Sequence, residues 1–104
     1  SLSNISKEMT NNNFKNPIVN NLTWSASKTD LIELVYALKF SGALNGGMIQ
    51  LKQIIEVVEM LFDIDLGNYY KTYSEIKNRN KDRSKFLNKL AEILVARLEQ
   101  DDSL

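Results

Sequence analysis

The chain of 104 residues contains no cysteine and no histidine. Without thiols there is no disulfide framework, no thiolate metal site and no thiol redox chemistry, which suits a reducing compartment. Without imidazole, the side chain most used as a general base near neutral pH and as a nitrogen ligand for metals is missing. Proline occurs once, at Pro17, and glycine four times. Neither sign of charge is in excess, since thirteen Lys and Arg balance thirteen Asp and Glu. No apolar run approaches the roughly eighteen residues of a membrane-spanning helix, and the N-terminus lacks the basic, apolar and small-residue succession of a secretory signal. A soluble, cytoplasmic protein with no membrane partner is expected. The chain begins with Ser1 rather than methionine, as a fragment of a longer protein or a processed chain would.

What is present is the composition of one folded domain, with 43% hydrophobic and 25% charged residues, close to the globular average. Residues 1–17 are polar and asparagine-rich, with Asn11, Asn12 and Asn13 in succession. They read as a linker or partly ordered segment, although the spacing of Leu2, Ile5, Met9 and Phe14 also allows a short docked helix. Pro17 fixes its own φ and pushes Asn16 toward an extended conformation, which sets a boundary there. The domain is expected over 18–104.

Hydrophobic periodicity predicts four principal helices and a minor β element. Ile18 to Trp24 contains β-formers and reads as a short strand. Ser27, with Asp30 three positions on, resembles a capping box, and Leu31, Leu34, Val35 and Leu38 then recur at helical spacing. The spacing predicts a first helix from Lys28 to Phe40, with Gly42 as its stop and a turn at Asn45-Gly46-Gly47. Leu51, Ile54, Ile55, Val58, Leu61 and Phe62 define a second helix, with Lys52, Glu56 and Glu59 outside its stripe. Asp63-Ile64-Asp65 separates it from a third, Leu66 to Asn78, with Asp65 as the expected cap and Leu66, Tyr69, Tyr73 and Ile76 as the buried stripe. Asp82 is the expected cap of a fourth and longest helix carrying Phe86, Leu87, Leu90, Ile93, Leu94 and Leu98. Trp24 and Phe40 are expected in the core.

Two helices joined by three residues have the sequence form of a helix-turn-helix, a connection that ordinary helical bundles also use. Charge placement favours the first reading. Lys and Arg number two against one carboxylate up to Trp24, three against six over Ser25–Leu66, seven against two over Gly67–Leu90, and one against four thereafter. The concealed positive region coincides with the second helix of the pair and the loop after it, where such a fold meets phosphates. The same cations could instead offset the helix dipole or solvate a surface. Catalysis has no support: Glu33, Glu56 and Glu59 read as polar-face residues, Asp63 and Asp65 as helix-end residues, and Asp101-Asp102 as a solvated tail. Gly42, Gly46 and Gly47 lack the lysine and hydroxyl residue of a phosphate-binding loop. The expectation is a protein that is not an enzyme and takes no cofactor or metal.

The strings LTWSASKTDLIELVYAL, SGALNGG and, above all, LFDIDLGNYYKTYSEIKNRNKDRSKFLNKL resemble the C-terminal region of the RteC family, regulators carried by conjugative transposons. The resemblance runs from about Leu22 to Arg97. It implies a cytoplasmic DNA-binding transcriptional regulator that activates excision and transfer genes of a tetracycline-resistance element. It also implies a winged-helix-like fold, preceded in the family by a helical region. Only Arg79 to Lys81 remain for a wing after the third helix, so strand material would come from Leu22–Trp24 paired with Gly47–Ile49.

Taken as a recognition helix, the third helix turns its early residues to base edges and leaves later cations to grip phosphates. Asn68, Lys71, Thr72 and Glu75 are the expected base-reading residues. Tyr70, Lys77, Arg79, Lys81, Arg83 and Lys85 are the expected backbone contacts. Tyr69 and Tyr73 fall on the buried stripe and are read as core. The expected partner is double-stranded promoter DNA, with RNA polymerase or a second copy on inverted half-sites as protein partners. The alternative is a protein-interaction module whose basic segment meets an acidic partner.

Overall fold

A computed structural model describes residues 22–103. The linker expected over 1–17, and the part of the expected strand before Leu22, lie outside the described residues. Among the described residues four helices follow one another: α1 (Lys28–Ser41), α2 (Leu51–Phe62), α3 (Tyr69–Lys77) and α4 (Lys85–Asp102), with a single 3-10 turn at Asn45–Gly47. None of them among the described residues is long and apolar enough to cross a membrane.

Helix α1 is set by its caps. The Ser27 hydroxyl accepts the Asp30 N–H at 3.0 Å, satisfying one of the free donors of the first turn. At the other end Gly42 takes the left-handed conformation (φ 76°) that stops the helix. Lys39 then donates to the carbonyls of Ile49 at 2.7 Å and Gly47 at 3.4 Å, tying the turn back to α1. The helix packs against α2, α3 and α4, and no two of those three bring their backbones together. This central position explains why α1 buries side chains around most of its circumference. Ile32, Glu33 and Tyr36 are buried along with Leu31 and Val35, whereas Leu34 and Leu38 are only half-buried.

Helix α2 has the bounds its stripe predicts. Ile54 and Ile55 enter the core, and Val58 and Phe62 pack on its edge. Trp24, expected in the core, lies at its margin between Phe62 and Phe86, with ring centroids 5.5 and 5.7 Å away, and its indole N–H donates to the Ser27 carbonyl at 2.8 Å. That bond winds the incoming chain into α1, and Leu22–Trp24 form no strand. Gly47–Ile49 form the end and exit of the 3-10 turn, with Gly46 and Gly47 both at positive φ. No strand occurs among the described residues, so the expected β element is corrected to irregular chain and turn. Phe40 is also corrected: it is 68% exposed, with its ring tilted against those of Tyr36 and Tyr73 at centroid distances of 5.9 and 6.3 Å.

The α2–α3 connection has six residues, Asp63–Asn68, twice the expected length. Asp65 is not the helix cap. Its carboxylate accepts the Gly67 N–H at 2.8 Å, the Leu66 N–H goes to Glu59 Oε2 at 2.8 Å, and Gly67 sits at φ 62°, outside helical geometry. The helix therefore starts at Tyr69, with Asn68 Oδ1 accepting the Lys71 N–H at 3.1 Å. Asp82, the expected cap of α4, lies at φ 54°, and the helix starts after Ser84, which makes no side-chain cap.

Candidate nucleic-acid interface

The missing cap of α4 is supplied from α1. Glu33, 5% exposed, accepts the Leu87 N–H on Oε2 at 2.9 Å and Arg79 Nη1 on Oε1 at 2.9 Å. Leu87 is the third residue of α4, where an N-terminal carboxylate satisfies a free donor and offsets the dipole. Arg79 Nη1 also donates to the Arg83 carbonyl at 2.8 Å. One buried carboxylate thus closes the loop between α3 and α4 at both ends. Neighbouring Leu31-Ile32 and Leu34-Val35 hide the signal: a single carboxylate inside an apolar run is what should have marked Glu33 as internal.

Helix α3 turns Tyr69, Thr72, Tyr73 and Ile76 inward. Tyr73 stacks on Tyr36 with centroids 4.1 Å apart and planes 8° from parallel. The Tyr36 hydroxyl is buried with no hydrogen-bond partner among the described residues, and burial, with the neighbouring Tyr70, Tyr69 and Tyr73, pushes its pKa up to about 12. Tyr69 is also held protonated beyond its usual range, chiefly by its hydrogen bond with Tyr70.

Helical periodicity places Lys71, Ser74 and Asn78 in one line along the outward side, three and four residues apart. Glu75 flanks that line on one side, and Tyr70 and Lys77 on the other. All six are exposed. Ser74 and Asn78 were missed by the sequence reading, although the wheel drawn from Lys71 contains them. Of the expected base-reading residues, Lys71 and Glu75 project from the helix. Asn68 uses its Oδ1 in the cap, and Thr72 is half-buried with its hydroxyl 3.5 Å from the Asn68 carbonyl.

The expected backbone contacts divide in the same way. Tyr70, Lys77, Lys81, Arg83 and Lys85 are exposed, with Lys77 Nζ 5.9 Å over the Tyr73 ring. Arg79 is the exception and is corrected: its guanidinium faces inward, bonded to Glu33 and the loop. Lys71, Lys81, Arg83, Lys85 and Lys89 make no ion pair among the described residues. These five cations lie around the outer side of α3, the loop after it and the first turns of α4. No cluster of three or more metal-ligating side chains occurs among the described residues.

Neither curated proteins nor solved structures give a significant match to this sequence. The RteC protein family does match, over residues 1–102. The chain therefore belongs to the RteC protein family.

Proposed function

We propose that this chain is a double-stranded DNA-binding transcriptional regulator that works in the cytoplasm, by binding and without a catalytic step. The observation that carries the reading is five cations without an ion pair among the described residues: Lys71 on α3, Lys81 and Arg83 in the loop after it, and Lys85 and Lys89 at the start of α4. Cations held by carboxylates have already traded their hydration for a protein partner, whereas free ones can displace counterions from a phosphate backbone. Lys71, Ser74, Asn78 and Glu75 face base edges, and Asn68 contributes its amide nitrogen from the helix start. Tyr70, Lys77, Lys81, Arg83 and Lys85 lie along the strands.

In this reading α2, the turn and α3 act as a helix-turn-helix held together through α1. The loop Asn78–Ser84 takes the place of a wing, fixed at its base by Arg79 and Glu33 and presenting Lys81 and Arg83 at its tip. The family extends the proposal to activation of excision and transfer genes of a tetracycline-resistance conjugative transposon. The test is a DNA-shift titration with the promoter region of such genes against random DNA of equal length. Preference for the promoter fragment supports the reading. Absence of binding even at low salt would sink it and leave the basic surface to an acidic protein partner.

A further inference from the structure

Among the described residues helix α4 is anchored only at its start. Phe86 is buried and Leu87 half-buried, but every residue from Asn88 to Ser103 is exposed. The projecting part is nonetheless amphipathic: Leu90, Ile93, Leu94, Val95 and Leu98 are each at least 40% exposed, and all but Val95 fall on one stripe continuing from Leu87. Leu90 to Asp102 spans about 20 Å at 1.5 Å per residue. A helix segment this short owes its stability to the face it buries, and among the described residues α4 buries none of it there.

Charge along the helix selects the occupant. Up to Leu90, α4 carries Lys85 and Lys89 and no carboxylate; from Ala91 it carries Glu92, Glu99, Asp101 and Asp102 against Arg97 alone. A parallel neighbour of the same sequence would set basic end beside basic end. An antiparallel one sets each basic end beside an acidic end within about one Debye length, and opposes the helix dipoles favourably.

We propose that α4 pairs antiparallel with α4 of a second copy of this chain, about a two-fold axis at Leu94. In that register Leu90 lies level with the second copy's Leu98, and the two Leu94 side chains meet at the axis. The apolar stripe is then covered along its whole projecting length, and the interface is isologous, with the same patch used by both copies. The pairing sets Lys85 and Lys89, two of the five cations above, near the second copy's carboxylates, and it is tested without DNA.

Because the chain has no cysteine, single introduced thiols report the geometry. Under mild oxidation Leu94→Cys cross-links into a covalent dimer. Leu90→Cys or Leu98→Cys alone does not, since equivalent positions lie about 12 Å apart along the axis, beyond the roughly 7 Å limit between Cα atoms in a disulfide. A mixture of the Leu90→Cys and Leu98→Cys variants does cross-link. Cross-linking of all three single variants would overturn the antiparallel arrangement, and cross-linking of none would overturn the pairing. The unmodified chain gives an independent reading by sedimentation: a mass approaching twice the monomer as concentration rises, reduced by Leu94→Glu. A monomer up to about 200 μM, corresponding to an association weaker than roughly 5 kcal/mol, rejects the proposal, as does a dimer that Leu94→Glu leaves intact.

Discussion

Residues Ser25–Leu66 and Gly67–Leu90 both carry many ionised groups, three cations with six carboxylates in the first and seven with two in the second. In the first stretch four of the nine charged groups hold the fold. Glu33 clamps Arg79 and Leu87, Glu59 accepts the Leu66 N–H, Asp65 closes the turn at Gly67, and Lys39 grips two carbonyls. In the second, Arg79 alone is in an ion pair among the described residues, and six cations have none, Lys77 among them with its Nζ over the Tyr73 ring. Lys28 and Lys52 are also without an ion pair among the described residues, but they stand singly in a stretch dominated by carboxylates. A net charge of zero hides this division, because what matters for recognition is which charges the fold has left unengaged.

The division is broken most severely at Glu33. Removing one partner of a buried pair leaves the other charge uncompensated, so Glu33→Ala is expected to cost about 3 kcal/mol or more in urea unfolding. Glu33→Gln should lose less, since its amide oxygen still accepts a hydrogen bond. A loss under about 1 kcal/mol for Glu33→Ala would show that the pair is not structural.

A smaller effect distinguishes the two candidate caps of α3. Asn68→Ala removes the side-chain oxygen that holds the Lys71 N–H and should cost about 1 kcal/mol. Asp65→Ala loses only a turn bond and should cost less. If Asp65→Ala proves the more damaging in thermal melts, the helix starts where the sequence first suggested.

The smallest effect is expected at Tyr36, the buried polar group of the first stretch without a partner. Tyr36→Phe removes an unsatisfied hydroxyl while keeping the ring stacked on Tyr73, so stability at neutral pH should be unchanged or slightly higher. The pH dependence has a definite sign. Tyr36 is raised to about 12 in the folded protein, whereas in the unfolded chain it ionises near the ordinary value of about 10. Its neutral form is therefore favoured by folding, with the stability fully present below pH about 10 and lost as pH rises toward about 12. Alkaline denaturation curves should fall less steeply in Tyr36→Phe over that window. Identical curves would mean that the hydroxyl is solvated.

Much of this architecture was legible in the chain. Ser27 and Gly42 gave the caps of α1, and the stripe Leu51 to Phe62 the bounds of α2, because those signals are local. Asp65 was misread because Asp and Asn at adjacent turns have the same capping chemistry, and only the path through Gly67 decides between them. Glu33 and Arg79 are 46 residues apart, so no local pattern joins them; their meeting depends on α1 lying against both α3 and α4. The stripe on α4 was visible, but periodicity cannot say whether its cover comes from the same molecule. The outward line Lys71, Ser74 and Asn78 was available from the helical period, and attention to charge alone passed over its two neutral members.

The central claim is that the unengaged cations of the second stretch meet DNA and those of the first do not. It is tested most directly by comparing two double variants with equal loss of charge, Lys81→Ala with Arg83→Ala and Lys28→Ala with Lys52→Ala. The measurement is the slope of log affinity against log salt for a fixed duplex. If each loop cation neutralises one phosphate at about 0.9 per contact, the first variant should make the slope shallower by about 1.8 and the second should leave it nearly unchanged. Equal changes in the two variants, or none in either, would contradict the account.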